Sequence, residues 1–205
     1  MKKIILAFVM AGAATCAWAA ADVAPDALAR SVTDEVLAIV RADKELQAGN
    51  PQKVAQLVET KVLPHFNFSR MTQLAVGRNW RQATPEQQKA LVDEFRTLLV
   101  RTYATAFTQY RNQTVEYRPL RMAPTDTEVV VKSLIRQPAG QPIAIDYSME
   151  KVGGAWKVYD VKIEGVSLVE NYRNTFNSQI QKGGVDGLIK ALADKNKSLA
   201  AQASR

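Results

Sequence analysis

The sequence predicts an α+β fold, with a helical N-terminal half, a four-stranded antiparallel sheet and C-terminal helices, and three observations predict it. Apolar residues recur every three or four positions from Pro25 to about Arg111, the period of a buried helix face. The period falls to two between Thr114 and Ile163, where turn residues separate four alternating segments. It becomes helical again after Ser167.

The first element is a leader. Met1-Lys2-Lys3 precedes an apolar run from Ile4 to Ala14 and small residues at Ala17-Trp18-Ala19-Ala20-Ala21. That order of positive end, short apolar core and Ala-x-Ala site is a secretory signal peptide, taken as residues 1–21 with cleavage after Ala19 or Ala21. The run is shorter than the ~20 residues of a membrane span. No twin-arginine pair precedes it, so the general secretion route into the periplasm is expected. Cys16 is the single cysteine; Ala13 and Thr15 stand where a lipoprotein site carries Leu and Gly or Ala. The mature chain therefore has no disulfide and must stand on its hydrophobic core. Its length, about 184 residues, suits one domain at 22–194 with a polar tail at 195–205. Losing Lys2 and Lys3 takes the formal charge from +7 to +5. No dense basic run accompanies that excess, so nucleic acid is not an expected partner. Mild positive charge suits anionic lipid head groups or acidic protein faces.

Helices follow. From Pro25 to about Leu46, Leu28, Val32, Val36 and Val40 fall four apart, with Leu37 and Ile39 alongside. Asn50-Pro51 reads as a cap with proline at the first helical position, and the helix it starts buries Val54, Leu57, Val58 and Val62 before Pro64. The segment Phe68 to Val76 ends at Gly77, a left-handed stop. Thr84-Pro85-Glu86-Gln87 is a capping box. The helix behind it, to about Arg111, carries one stripe through Leu91, Phe95, Leu98, Thr102, Ala106 and Tyr110 and a second through Val92, Leu99, Tyr103 and Phe107. A helix so broadly apolar packs on more than one neighbour or borders a cavity.

Candidate strands are Thr114–Arg121, Thr127–Gln137, Pro142–Lys151 and Ala155–Ile163, joined by Pro124-Thr125-Asp126, Pro138-Ala139-Gly140 and Gly153-Gly154. Such short links favour an antiparallel meander. Ile143, Ile145, Tyr147 and Met149 alternate with Ala144, Asp146, Ser148 and Glu150, so one sheet face is expected covered and the other wet. Ser167-Leu168-Val169-Glu170 is a second capping box, opening a helix through Tyr172, Phe176 and Ile180 to Gly183-Gly184. A last short helix spans Val185 to about Ala193, and the chain beyond Lys195 reads as a frayed end.

Catalytic and metal chemistry fail on inventory. The chain has no Gly-rich phosphate loop and no Gly-x-Ser-x-Gly elbow. With one histidine and no mature cysteine, a Cys/His metal site has no ligands, and no cofactor is expected. Asp34-Glu35 and Asp93-Glu94 point apart on a helix and cannot converge on one substrate. Three readings stay open from the residues alone: a binding protein with an apolar cavity between sheet and helices, a structural domain with a filled core, and a hydrolase built on His65.

The order of several segments resembles the MlaC family of periplasmic phospholipid-binding proteins, also known as toluene-tolerance proteins. They are Val62-Leu63-Pro64-His65-Phe66-Asn67-Phe68, Leu74-Ala75-Val76-Gly77-Arg78-Asn79-Trp80-Arg81, Thr84-Pro85-Glu86-Gln87, Trp156-Lys157-Val158-Tyr159-Asp160-Val161, Glu164-Gly165-Val166-Ser167-Leu168, Asn171-Tyr172-Arg173 and Gly184-Val185-Asp186-Gly187-Leu188. Asn67 and Asn79 depart from the family, where Asp and His are common. The resemblance implies a monomeric carrier without catalytic residues. In it, a twisted four-stranded sheet packs beside helices, and acyl chains enter the gap between them. It also implies three partners: phospholipid, an inner-membrane ABC transporter with a ring of MCE domains, and an outer-membrane lipoprotein–porin complex. The implied role is maintenance of outer-membrane lipid asymmetry; a hopanoid carrier would read alike. On that pattern Leu98, Leu99, Tyr103 and Phe107 form one wall of a lipid slot, Val131, Ile145 and Tyr147 the sheet wall, and Val166 and Leu168 its mouth, with Tyr172 and Phe176 on the helix behind. Val166 is the first pocket residue that the pattern selects. Arg101, Lys132 and Arg173 are candidate head-group or partner contacts.

Overall fold

A computed structural model of the chain describes residues 23–104, 113–138 and 140–203. The leader, the expected helical continuation through Ala106, Phe107 and Tyr110, and the end of the tail lie outside the described residues.

Helix α1 spans Pro25–Ala42 and starts with proline in its first turn, as read. It stops four residues short of Leu46 because Asp43 adopts extended backbone and caps a new helix, α2 (Lys44–Gln47), accepting the Glu45 and Leu46 amides at 2.8 and 3.2 Å. Asn50 caps α3 (Pro51–Leu57) in the same way. The helix expected to run on to Val62 instead widens into a π turn at Val58–Val62 and tightens into a 3₁₀ turn at Leu63–His65. Pro64 offers no amide to an α-helical ladder, and the irregular turns carry the chain past it. Helix α4 (Phe68–Val76) is capped by Asn67 and ends at Gly77, φ +63°, where an added Cβ would meet the Arg173 guanidinium at 3.3 Å. Helix α5 (Pro85–Tyr103) carries the complete capping box of Thr84 and Gln87.

Five strands, not four, form one antiparallel meander in the order β1-β2-β3-β4-β5: Thr114–Tyr117, Glu128–Arg136, Ile143–Val152, Ala155–Ile163 and Val166–Ser167. The fifth has two residues, too few for any period to register. Glu164 and Gly165 (φ +52° and +81°) turn the chain so that Val166 pairs with Ile163. A bulge sets Ser148 opposite Asp160 but Met149 opposite Val158, leaving Tyr159 as the extra residue. That step puts Val158 and Val161 on the same face although they are three positions apart, a spacing that in a regular strand would put them on opposite faces.

Helix α6 runs from Leu168 to Ala203, broken only at Gly183 and Gly184, whose φ of +65° is left-handed. The stretch beyond Lys195, expected to fray, is helical to Ala203. Asn196 holds it: its side-chain NH2 donates to the Glu94 carbonyl and carboxylate at 2.9 and 2.7 Å, while Arg101 donates to its backbone carbonyl.

Three apolar groups result. Met71, Leu91, Phe95, Phe176, Leu188 and Leu192 bind α4, α5 and α6 together. Val36, Val40, Leu46, Val54 and Leu57 join α1 to α3. Val129, Val131, Met149, Trp156, Val158 and Val161 cover the inner sheet face. The outer face is not uniformly wet: Ser148 and Glu150 are buried. Asn67 donates to Glu150 at 2.8 Å, and Arg70 pairs with Glu150 and, at 2.7 Å, with Glu128. The Arg70 guanidinium lies 4.1 Å over the Tyr159 ring.

Candidate functional site

The second and third groups do not close on one another. Between α1, the turns at 58–65, the end of α5 and the inner sheet face lies a cavity of about 340 Å³. Each wall follows from local sequence. The four-residue spacing of Leu28, Val32 and Val36 aims them inward from α1. The π turn brings Val58 and Val62, and the last turns of α5 bring Leu99, Val100 and Tyr103. Strand alternation aims Ile145, Tyr147 and Met149 from β3, and the bulge adds Val158 to Val161 and Ile163 on β4.

The polar groups of the wall are few and mostly engaged. Thr33 Oγ1 lies 2.7 Å from the Tyr117 hydroxyl, which also donates to the Ala29 carbonyl at 3.0 Å, and the Arg30 guanidinium sits 4.8 Å over the same ring. These contacts tie α1 to β1. On its other side α1 is tied to the π turn by the 2.6 Å ion pair of Glu35 with Lys61. Tyr147 is hydrogen-bonded to Ser133, and burial pushes its phenol far above the ordinary range, so it remains a neutral donor. His65 also faces the cavity. Burial holds its imidazole below the ordinary value, the Lys157 charge adds to this, and Glu35 opposes it. At ~30 Å³ per water, the space would take on the order of ten molecules. Almost nothing in the wall would bond them. A site of this volume, apolar with a few convergent polar groups, is the usual form of a ligand pocket.

The structure brings Leu99, Tyr103, Ile145, Tyr147 and Leu168 to the cavity wall. Leu98, Val131, Tyr172 and Phe176 pack elsewhere: Leu98, Tyr172 and Phe176 in the helical group and Val131 within the sheet group. Phe107 lies outside the described residues. Val166 does not line the cavity; it is 59% exposed, on the short strand between Ile163 and Leu168, which do line it. Its strand is too short and too near a tight turn to bury both faces. Lys132 is exposed on β2 opposite Asp146. Arg101 reaches Asn196, and Arg173 lies against Gly77. Sequence reasoning missed α1 and the turns at 58–65 as walls. The stripe through Leu28, Val32 and Val36 was the available signal, but it reads equally as a core face. Among the described residues no group of His, Cys, Asp and Glu is arranged to hold a metal, and no helix is long and apolar enough to cross a membrane.

Residues 30–194 match the family model described as MlaC protein. The chain is 26% identical over 188 residues to the intermembrane phospholipid transport system binding protein MlaC of Haemophilus influenzae, covering 90% of this chain and 88% of that protein. It is 25% identical over 163 residues to the toluene tolerance protein ttg2D of Pseudomonas putida, covering 79% and 75%. A solved phospholipid-binding protein from Ralstonia solanacearum, in complex with a phospholipid, shares 49% identity and superposes with a TM-score of 0.80 over 85% of this chain and 98% of that one.

Proposed function

The chain belongs to the MlaC family, and from that premise we propose that it is a periplasmic phospholipid carrier, holding acyl chains in the cavity behind α1 and moving lipid between the outer and inner membranes. The observation that carries this reading is the apolar space itself, walled by α1, the turns at 58–65, the end of α5 and the sheet and partly open to solvent. Exposing an acyl chain to water costs about 0.8 kcal/mol per methylene, so two chains with about thirty methylenes face a penalty on the order of 24 kcal/mol. A soluble carrier must replace most of that burial, and a dry wall of Val, Leu, Ile and Tyr side chains is the means available here. The protein does no bond-breaking chemistry; its work is desolvation.

The same reading assigns the chain its partners: the MCE-domain ABC transporter of the inner membrane and the lipoprotein–porin complex of the outer membrane, with return of misplaced phospholipid as the outcome. Arg101, Lys132 and Arg173 are proposed as head-group or docking contacts. Extraction of the purified protein with organic solvent, followed by mass spectrometry, tests the central claim. Near-stoichiometric phospholipid is expected. A protein that emerges clean and takes up none from phospholipid vesicles is not a carrier.

A further inference from the structure

His65 is the only histidine of the chain, and carrier function as proposed gives it no task. Its position is unusual for an ionisable group. The π turn at Val58–Val62 leads into the 3₁₀ turn that ends on it, and its side chain stands in the wall of the cavity beside Leu63 and Phe66. Charged groups face it from the elements packed around it. Lys157 on β4 donates to the carbonyl of Pro64, the residue before it, at 2.6 Å. Glu35 on α1 is within electrostatic reach. That carboxylate is already engaged, with Lys61 at 2.6 Å. An imidazolium formed here would add a third positive charge to two lysines and a single carboxylate, on the edge of an apolar space.

We propose that His65 is a proton-sensitive part of the cavity wall: neutral, it is one more surface for an apolar cargo, and protonated, it weakens the hold on that cargo. The proposal rests on the carrier reading. Its physics is linkage. An acyl chain laid against His65 removes water from the imidazole, which disfavours the charged form. Whatever cargo does to the proton, the proton must do to cargo by the same factor. The wall already leans this way, since burial and Lys157 both favour the neutral ring before any lipid arrives. The sign follows: retention is strongest above the ordinary histidine range and falls as pH drops through the value of the loaded protein. A carrier with this property releases lipid more readily where protons are abundant, such as at an acidic membrane surface.

A single histidine makes the test direct. The imidazole C–H resonances of the purified protein are followed by NMR from about pH 8 to about pH 4.5, delipidated and after loading from vesicles of phosphatidylethanolamine and phosphatidylglycerol, whose head groups do not titrate in that window. Loading is expected to lower the His65 pKa by about one unit, and lipid affinity should fall about tenfold across the titration. His65→Gln and His65→Phe should both abolish that pH dependence, whatever their absolute occupancy. A pKa that is unchanged on loading overturns the proposal. So does one that rises, which would set the imidazolium against the lipid phosphate instead. Protein that loads equally well at every pH sinks this inference alone; protein that takes up no phospholipid at any pH sinks the carrier reading as well.

Discussion

Two apolar regions of this molecule are made from the same residue types and end differently. In the helical group, Phe95 meets Tyr172 and Phe176 edge to face at 5.1 and 5.0 Å, and Met71, Leu91 and Leu188 fill what the rings leave. On the other side of α5, the face of α1 and the inner sheet approach each other and leave about 340 Å³ between them. The first region is held by interlocking side chains. The second is bridged at its edges by polar ties, Tyr117 to α1 and Glu35 to Lys61, with the centre left open. Hydrophobicity drives both faces out of water, but it does not require that two dry faces touch. A void survives when the elements around it are held apart by contacts elsewhere.

The sharpest way to break the comparison is to empty the filled side. Phe95→Ala removes a fully buried ring that contacts two others and should cost about 3–5 kcal/mol, seen as a large fall in the urea midpoint. Val32→Ala trims a side chain that faces the cavity and leaves little new void, so it should cost less than about 1 kcal/mol. Equal losses in the two variants would mean that α1 is packed as tightly as the helical group.

A charge in the hollow should do the opposite of an excavation in the core. Ile145→Glu places a carboxylate in the cavity wall, where it must be desolvated before any acyl chain can lie against it. The variant is expected to fold and to lose nearly all co-purifying lipid. Val166→Glu sits at the exposed rim beside Ile163 and Leu168, so its loss of lipid should be partial. If Ile145→Glu retains lipid as the parent does, cargo does not occupy this space.

The legible part of the fold was its punctuation. Asn50, Gly77 and Thr84 start or stop helices where their chemistry says they should, and the turn at Gly153-Gly154 separates strands as read. What escaped the sequence was cooperative. Asp43 interrupts a helix whose apolar spacing runs straight through it, because its carboxylate found two amides to cap. The π turn at Val58–Val62 has no residue signature of its own; it is what the chain does between a good helix and Pro64. The end of α6 reads as polar, yet Asn196 is buried because α5 supplies partners for its side-chain NH2 and its backbone carbonyl. The site was half legible for the same reason. Tyr147 and Leu99 follow from strand and helix period, whereas the part played by α1 depends on the distance between faces, which periodicity does not encode.

The outer sheet face supplies the smallest and most selective test. Arg70 joins α4 to the sheet through Glu150, which is buried, and Glu128, which is half exposed. Arg70→Ala leaves the Glu150 carboxylate with the Asn67 amide as its remaining cross-element donor and strips the cation from the Tyr159 ring. Because the guanidinium is itself partly in water, the cost should be about 2 kcal/mol, short of the value for a fully buried pair. The pH dependence gives the sign. Arg70 holds the Glu128 carboxyl below its ordinary range, so its share of stability is full above the unfolded-state value and is lost as pH falls through the lowered one. Urea melts of parent and Arg70→Ala should therefore differ most near neutral pH and converge in acid. Bound lipid should be unchanged throughout, since this cluster lies on the face of the sheet away from the cavity. A variant that loses lipid along with stability would mean that the sheet position, and not only the lining side chains, sets the size of the hollow.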